Sequence, residues 1–191
     1  MKKLSYGVMI AAAGMLFQAC HSNSSTTIAD SINKMKDTTT TGKTGIAVVA
    51  DDAKFAVDAA NGGMTEVALS KLAIAKAANA DVKKFATMMV MDHTAAGEQL
   101  KVVAKAKNIT LPDSVNAGSK EAIADLSKKS GADFDKAYVD KMVADHKGAV
   151  EMFENASKTL KDADLKAFVD KTLPIIKGHL EHITKIKAGM K

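Results

Sequence analysis

The chain contains no arginine and no tryptophan, one cysteine, two prolines and only 4% aromatic residues. With Cys20 alone, no internal disulfide can form and no cysteine-based metal motif can be assembled. Lysine supplies all the positive charge. No aromatics are interleaved with it, so the guanidinium forks and stacking platforms of a nucleic-acid binder are missing. Runs of β-branched residues bounded by turn signals are scarce, which leaves little from which to build a sheet. A phosphate-binding glycine loop and a nucleophile elbow are absent as well.

What is present begins with an address. Lys2 and Lys3 precede an apolar run from about Val8 to Phe17, too short to span a bilayer as a mature helix, and the run ends at Ala19-Cys20. Residues 1–19 read as a bacterial secretion signal. Leu16-Phe17-Gln18-Ala19-Cys20 resembles a lipobox, with Phe17 where leucine is usual, so Cys20 is expected to carry a lipid that anchors the chain at the periplasmic face or the outer membrane. A secreted chain with an unmodified Cys20 is the alternative. Loss of the signal lowers the formal charge of +5 by the two units of Lys2 and Lys3, a mild excess suited to solvated helix faces. Residues 20–50, rich in Ser and Thr and almost free of large apolar side chains before Ile46, are expected to form a flexible tether.

From Asp51 onward the composition, rich in Ala, Lys, Leu, Val and Met, is that of one all-α domain covering residues 51–191. Break and cap signals predict long helices over about 51–78, 80–107, 132–160 and 163–187. They also predict a short extra helix near 119–128 in the central connection. Each long helix would measure roughly 40 Å, which suits an antiparallel four-helix bundle.

Two copies of one pattern lie 53 residues apart, Met89-Val90-x-Asp92-His93-x-x-Ala96 and Met142-Val143-x-Asp145-His146-x-x-Ala149, and they suggest one helix-pair unit used twice. Each copy sets a histidine inside an apolar stripe spaced by threes and fours. The stripe of the first long helix includes Glu66, and that of the fourth includes His179. Counted along an up-and-down bundle, Glu66, His93, His146 and His179 fall in one layer within about one helical turn.

Three imidazoles and a carboxylate buried together must find partners. A single transition-metal ion, Zn, Fe, Mn or Cu, would satisfy several at once with Glu66, His93, His146 and His179 as ligands. In that reading Asp92 and Asp145 serve as outer partners or alternative ligands. A hydrogen-bonded cluster in which Asp92 or Asp145 orients the imidazoles is the plainer solution. A di-iron site is disfavoured, because Val90 and Val143 stand where a Glu-x-x-His pair needs glutamates. His182 could reach the same face but reads as solvated. Methionines such as Met64, Met89 and Met142 read as core filling before copper ligands. Gly62-Gly63 imply a close helix approach or a local opening, and Pro174 a kink in the fourth helix.

The run Phe55-Ala56-x-x-Ala59-Ala60-x-Gly62-Gly63-Met64-x-Glu66-Val67 opens a longer likeness. It continues with Val82-Lys83-x-Phe85-Ala86 leading to Asp92-His93, Phe134-Asp135-x-x-Tyr138 with Asp145-His146, and Thr172-Leu173-Pro174 with His179-Leu180. Together these resemble the ferritin-like domain-of-unknown-function family numbered 4142. The resemblance implies a ferritin-like four-helix bundle in an exported bacterial protein, and it carries no activity. Two functions follow as expectations. The first is a non-catalytic envelope lipoprotein acting through its helical surface, with an unidentified protein partner. The alternative is a mononuclear metal-binding protein for metal handling or redox protection.

Overall fold

The computed structural model describes residues 24–38 and 48–190, so the expected signal peptide, Cys20 and its lipid lie outside the described residues. Among the described residues the chain is entirely helical, without strands. Its elements are α1 (Ser25–Thr38), α2 (Ala50–Lys76), α3 (Ala80–Ala106), α4 (Ala117–Ser127), α5 (Gly131–Thr159) and α6 (Ala163–Gly189). The four long helices match their expected spans to within two residues at each end.

Local chemistry sets those ends. Asn79, Asn116 and Asp162 cap α3, α4 and α6, each side-chain oxygen accepting backbone N–H groups of the first turn. Asn108 takes the left-handed conformation (φ 55°) just beyond α3, which turns the chain away. Helices α2 and α5 have no side-chain cap of their own. Instead, a buried carboxylate near the start of each reaches across to the other hairpin. Asp52 accepts from the backbone N–H of Lys161 (3.0 Å) and Asp162 (2.7 Å), in the α5–α6 turn. Asp135 accepts from Ala78 (3.0 Å) and Asn79 (2.7 Å), in the α2–α3 turn.

These reciprocal bonds correct the reading of the internal repeat. Asp135 stands 83 positions after Asp52, and the cap Asp162 stands 83 after the cap Asn79, so the crossed bonds relate the hairpin α2–α3 to the hairpin α5–α6. The two Asp-His copies 53 residues apart lie on α3 and α5, which hold different places in their hairpins. Their likeness is one of inward-facing pattern, not of a repeated unit.

The long helices contact in a ring, α2 with α3 and α5, and α6 with α3 and α5, which leaves α3 diagonal to α5 and α2 diagonal to α6. Two apolar clusters fill the space between them. One gathers Phe55, Leu100, Phe153, Leu165, Phe168 and Ile176, and the other Leu69, Phe85, Met89, Phe134, Met142 and Ile183. On every long helix the gap between the clusters spans the position of Glu66, His93, His146 or His179. Met89 and Met142 are wholly buried in the second cluster, as core filling.

The flexible-tether expectation is corrected over residues 25–38, which form α1 packed against α2. The cause is polar. The buried Asn33 amide donates to the carbonyl of Thr110 (2.9 Å) and accepts from its N–H (2.7 Å), while Ser25 Oγ donates to Asp113 (2.6 Å). Such bonds dock a helix that offers only a small apolar face, with Ala29 at its centre.

Candidate metal centre

Each of the four long helices contributes one side chain to the layer between the apolar clusters: Glu66 from α2, His93 from α3, His146 from α5 and His179 from α6. The imidazole centroids form a nearly equilateral triangle, 5.8 Å from His93 to His146, 5.3 Å from His93 to His179 and 5.5 Å from His146 to His179. One nitrogen from each ring lies within 4.8 Å of the other two. Phe85 closes the layer on one side, its ring 6.4 Å from His146 and 6.3 Å from His179.

The remaining ring nitrogens are already engaged. His146 Nδ1 lies 2.9 Å from the carbonyl oxygen of Met142. A carbonyl can only accept, so Nδ1 carries the proton and Nε2 of the neutral ring keeps a lone pair. His179 Nε2 lies 2.8 Å from Asp92 Oδ2. Glu66 spans two rings, with Oε2 3.1 Å from His93 Nδ1 and Oε1 3.3 Å from His146 Nδ1. Left over are His93 Nε2, His146 Nε2 and His179 Nδ1. These are the buried side-chain nitrogen and oxygen atoms without a hydrogen-bond partner among the described residues. Leaving a buried polar atom unpaired costs about 1–3 kcal/mol, and each of the three clustered rings carries one such atom.

Burial governs the protonation of the layer. It pushes Glu66 up to about 8, with the nearby Asp145 charge adding and Lys141 opposing. It pulls His93 down to about 3, assisted by His179 and His146, and His146 down to about 4, assisted by His179. At neutral pH the contacts of Glu66 with His93 and His146 therefore join neutral groups, and ion pairing between them is absent. Neutral imidazoles with free lone pairs are the form in which histidine binds metals.

The arrangement refines the expected ligand set. Glu66 sits behind two of the rings, at their Nδ1 atoms, so the convergent donors are the three histidines. Asp92 orients an imidazole, as a carboxylate partner should. Asp145, its counterpart in the sequence pattern, instead pairs with Lys141 at 2.6 Å. His182 is exposed and rests against Phe85, 5.5 Å between ring centroids, outside the triangle.

Two cavities meet at Glu66. A polar one of about 270 Å³ opens between α2 and α5, lined by Asp58, Asn61, Thr65, Lys141, Asp145 and Gly148 among others. An apolar one of about 390 Å³ runs from His93 and Glu66 past Leu100, Phe153 and Phe168. Of the two readings of Gly62-Gly63, a close helix approach and a local opening, the cavities agree with the opening. A Cβ at Gly62, Gly97 or Gly148 would meet nothing within 4 Å, and one at Gly63 would meet His93 Nδ1 at 3.9 Å, an ordinary contact. Close helix approach is therefore not why glycine stands there.

The chain matches the family described as a domain of unknown function, DUF4142, over residues 37–186. In fold it is similar to a DUF305 fragment from Deinococcus radiodurans known from a crystal structure, with a TM-score of 0.65 and 11% identity. That likeness covers 73% of this chain and 96% of the other. At that identity it extends to the fold alone. No curated protein matches the chain.

Proposed function

The chain belongs to the DUF4142 family, whose description names no function, and we propose that its helical domain binds one divalent transition-metal ion through His93, His146 and His179. The single observation carrying this reading is the cluster of three imidazoles from three helices, one nitrogen of each within 4.8 Å of the others, in which every ring also keeps a buried nitrogen without a partner. In this reading the domain is a ferritin-like antiparallel four-helix bundle with the metal at its polar waist, held at the cell envelope by a lipid on Cys20. It serves metal handling or redox protection there.

The donor chemistry suits Zn, Fe, Mn or Cu, since three neutral imidazoles accept all of these and no thiolate is present to favour soft ions. Each ligand has an outer partner of the kind that fixes a metal-binding tautomer: Glu66 for His93, the Met142 carbonyl with Glu66 for His146, and Asp92 for His179. A bound cation would also return Glu66 to its carboxylate form, and that carboxylate then accepts from both Nδ1–H groups. Three protein ligands leave a fourth position open, as in metal sites that bind or transform a small molecule. The polar cavity, with Asp58 and Asp145 at its walls, offers the cation a route to Glu66.

A second reading is favoured by the hydrogen bonds themselves: a non-catalytic envelope module in which the polar layer only sets how the helices pack. It leaves the three nitrogens unexplained. Elemental analysis of the full chain, beside His93→Ala and His146→Ala, separates the two. One ion per chain, lost in both variants, is expected. Wild-type protein that holds no metal and takes up none on titration with Zn, Fe, Mn or Cu would refute the metal reading in favour of the packing one.

A further inference from the structure

The helix nearest the expected lipid carries an apolar face that the bundle leaves uncovered. Helix α1 buries Ala29 and Asn33 against the body. Polar bonds fix its orientation, Ser25 to Asp113 at one end, and Lys36 Nζ to the carbonyl oxygen of Asn108 (2.9 Å) and to Thr110 Oγ1 (2.8 Å) at the other. Along one exposed side run Ile28, Ile32 and Met35, spaced by four and three, at 47%, 37% and 69% exposure. The exposed positions described on α1, Thr27, Ile28, Ser31, Ile32, Lys34 and Met35, include one lysine and no carboxylate. The half-buried Asp30 interacts instead with Lys54 and Asp58 of α2. Single exposed isoleucines are ordinary on a protein surface. Three large apolar side chains at helical spacing beside an anchor are not.

We propose that this face of α1 rests on the membrane that holds the Cys20 lipid, with Ile28, Ile32 and Met35 entering the boundary between headgroups and acyl chains. The anchor rests on the lipidation reading above, while the face rests on α1 itself. Cys20 stands four positions before Ser24, so even at full extension the first turn of α1 stays within about 14 Å of the lipid-bearing residue. The helix is thereby held within reach of the headgroups. At 14 residues, or roughly 21 Å, it is too short to cross a hydrocarbon core of about 30 Å, and it lies along the surface. Lys34 at the flank suits anionic headgroups, and no carboxylate at the exposed positions described opposes it. Because Ser25, Asn33 and Lys36 bind α1 to the loop after α3, docking this face fixes the whole bundle against the membrane.

The chain has no tryptophan, so a single introduced one reports its own surroundings. The full chain is expressed for export, its Cys20 lipid is read by mass spectrometry, and the product is reconstituted into vesicles of phosphatidylethanolamine and phosphatidylglycerol with brominated acyl chains, which quench tryptophan on contact. Expected is about twofold quenching with a blue shift for Ile28→Trp and for Ile32→Trp, and neither for Ile74→Trp, at an exposed position near the far end of α2. Two reporters on the face keep the test decisive if one variant misfolds. Emission from both as unquenched as that of Ile74→Trp overturns the proposal. Protection of both from soluble iodide before vesicles are present would assign the face to a second copy of the chain, and overturns it as well. If Cys20 carries no lipid, the anchoring reading fails by itself. Coupling the Cys20 thiol to a maleimide lipid then supplies the same tether; quenching at positions 28 and 32 supports the docking face, and its absence overturns it.

Discussion

Glu66→Gln should make the empty protein more stable and the metal site weaker, an opposition that a merely structural residue would not produce. Burial raises the Glu66 carboxyl from 4.5 to about 8. Its folded pKa thus lies above its unfolded one, so the favourable contribution is complete below about 4.5 and is lost as pH rises toward 8. At pH 7 the folded chain keeps a proton that the unfolded chain has released, over some 2.5 pH units. At about 1.4 kcal/mol per unit this costs ~3 kcal/mol. Glutamine matches the protonated acid in shape and has no proton to lose. Chemical denaturation of the metal-free wild type and Glu66→Gln, from pH 4.5 to 8.5, should show equal stability at the acid end and an advantage of ~3 kcal/mol for the variant at pH 7. With zinc bound the order of merit reverses. Loss of the carboxylate behind His93 and His146 should lower affinity about 10- to 100-fold, as for other outer partners of metal ligands. A stability difference that stays flat with pH, or a variant less stable than the wild type at pH 7, would refute the argument.

The same variant isolates the histidines, since it removes the opposing carboxyl. Folded pKa values of about 3 for His93 and about 4 for His146 lie below 6.5, so their stability is complete above pH 6.5 and is lost as pH falls. In metal-free Glu66→Gln, denaturation should show a loss of about 2.7 kcal/mol per pH unit between roughly 6.5 and 4; a slope near zero there would show that the rings are not buried neutral. Asp145→Asn removes a carboxylate from the polar cavity but touches no imidazole. Stopped-flow zinc uptake should therefore slow severalfold at low salt, with the equilibrium affinity within about twofold of the wild type. Equal uptake rates would exclude that route.

Much of this architecture was legible because helices declare themselves through apolar spacing and caps. Asn79 and Asp162 mark their helices directly, and the stripes placed Glu66, His93, His146 and His179 at one height. Spacing gives height and face, and nothing finer. Which oxygen meets which nitrogen depends on side-chain reach across two helices, so the retreat of Glu66 behind the rings was not visible. Asp92 and Asp145 share a motif, yet α3 meets His179 on α6 at that height while Asp145 finds Lys141 on its own helix, and the two aspartates part company. Helix α1 escaped notice because Asn33 and Ser25 hold it through backbone groups of the loop after α3, and no hydropathy argument registers such bonds. Gly62-Gly63 hinted at an opening, but the share of Gly97 and Gly148 in the cavities escaped because it consists of atoms that glycine lacks.

The crossed bonds of Asp52 and Asp135 bear on how the molecule must come together. Two backbone amides of each hairpin's turn are satisfied by the other hairpin's first helix, so neither half is a finished object. The polar waist obeys the same division, with Glu66 and His93 from one half and His146 and His179 from the other. A chain cut between α3 and α5 should give two fragments that are poorly ordered apart and that reassemble in each other's presence, and a metal ion would tighten that reassembly by bridging the cut. The ion is then a reporter of assembly as well as cargo, since its full ligand set exists only after the last pair of helices has docked.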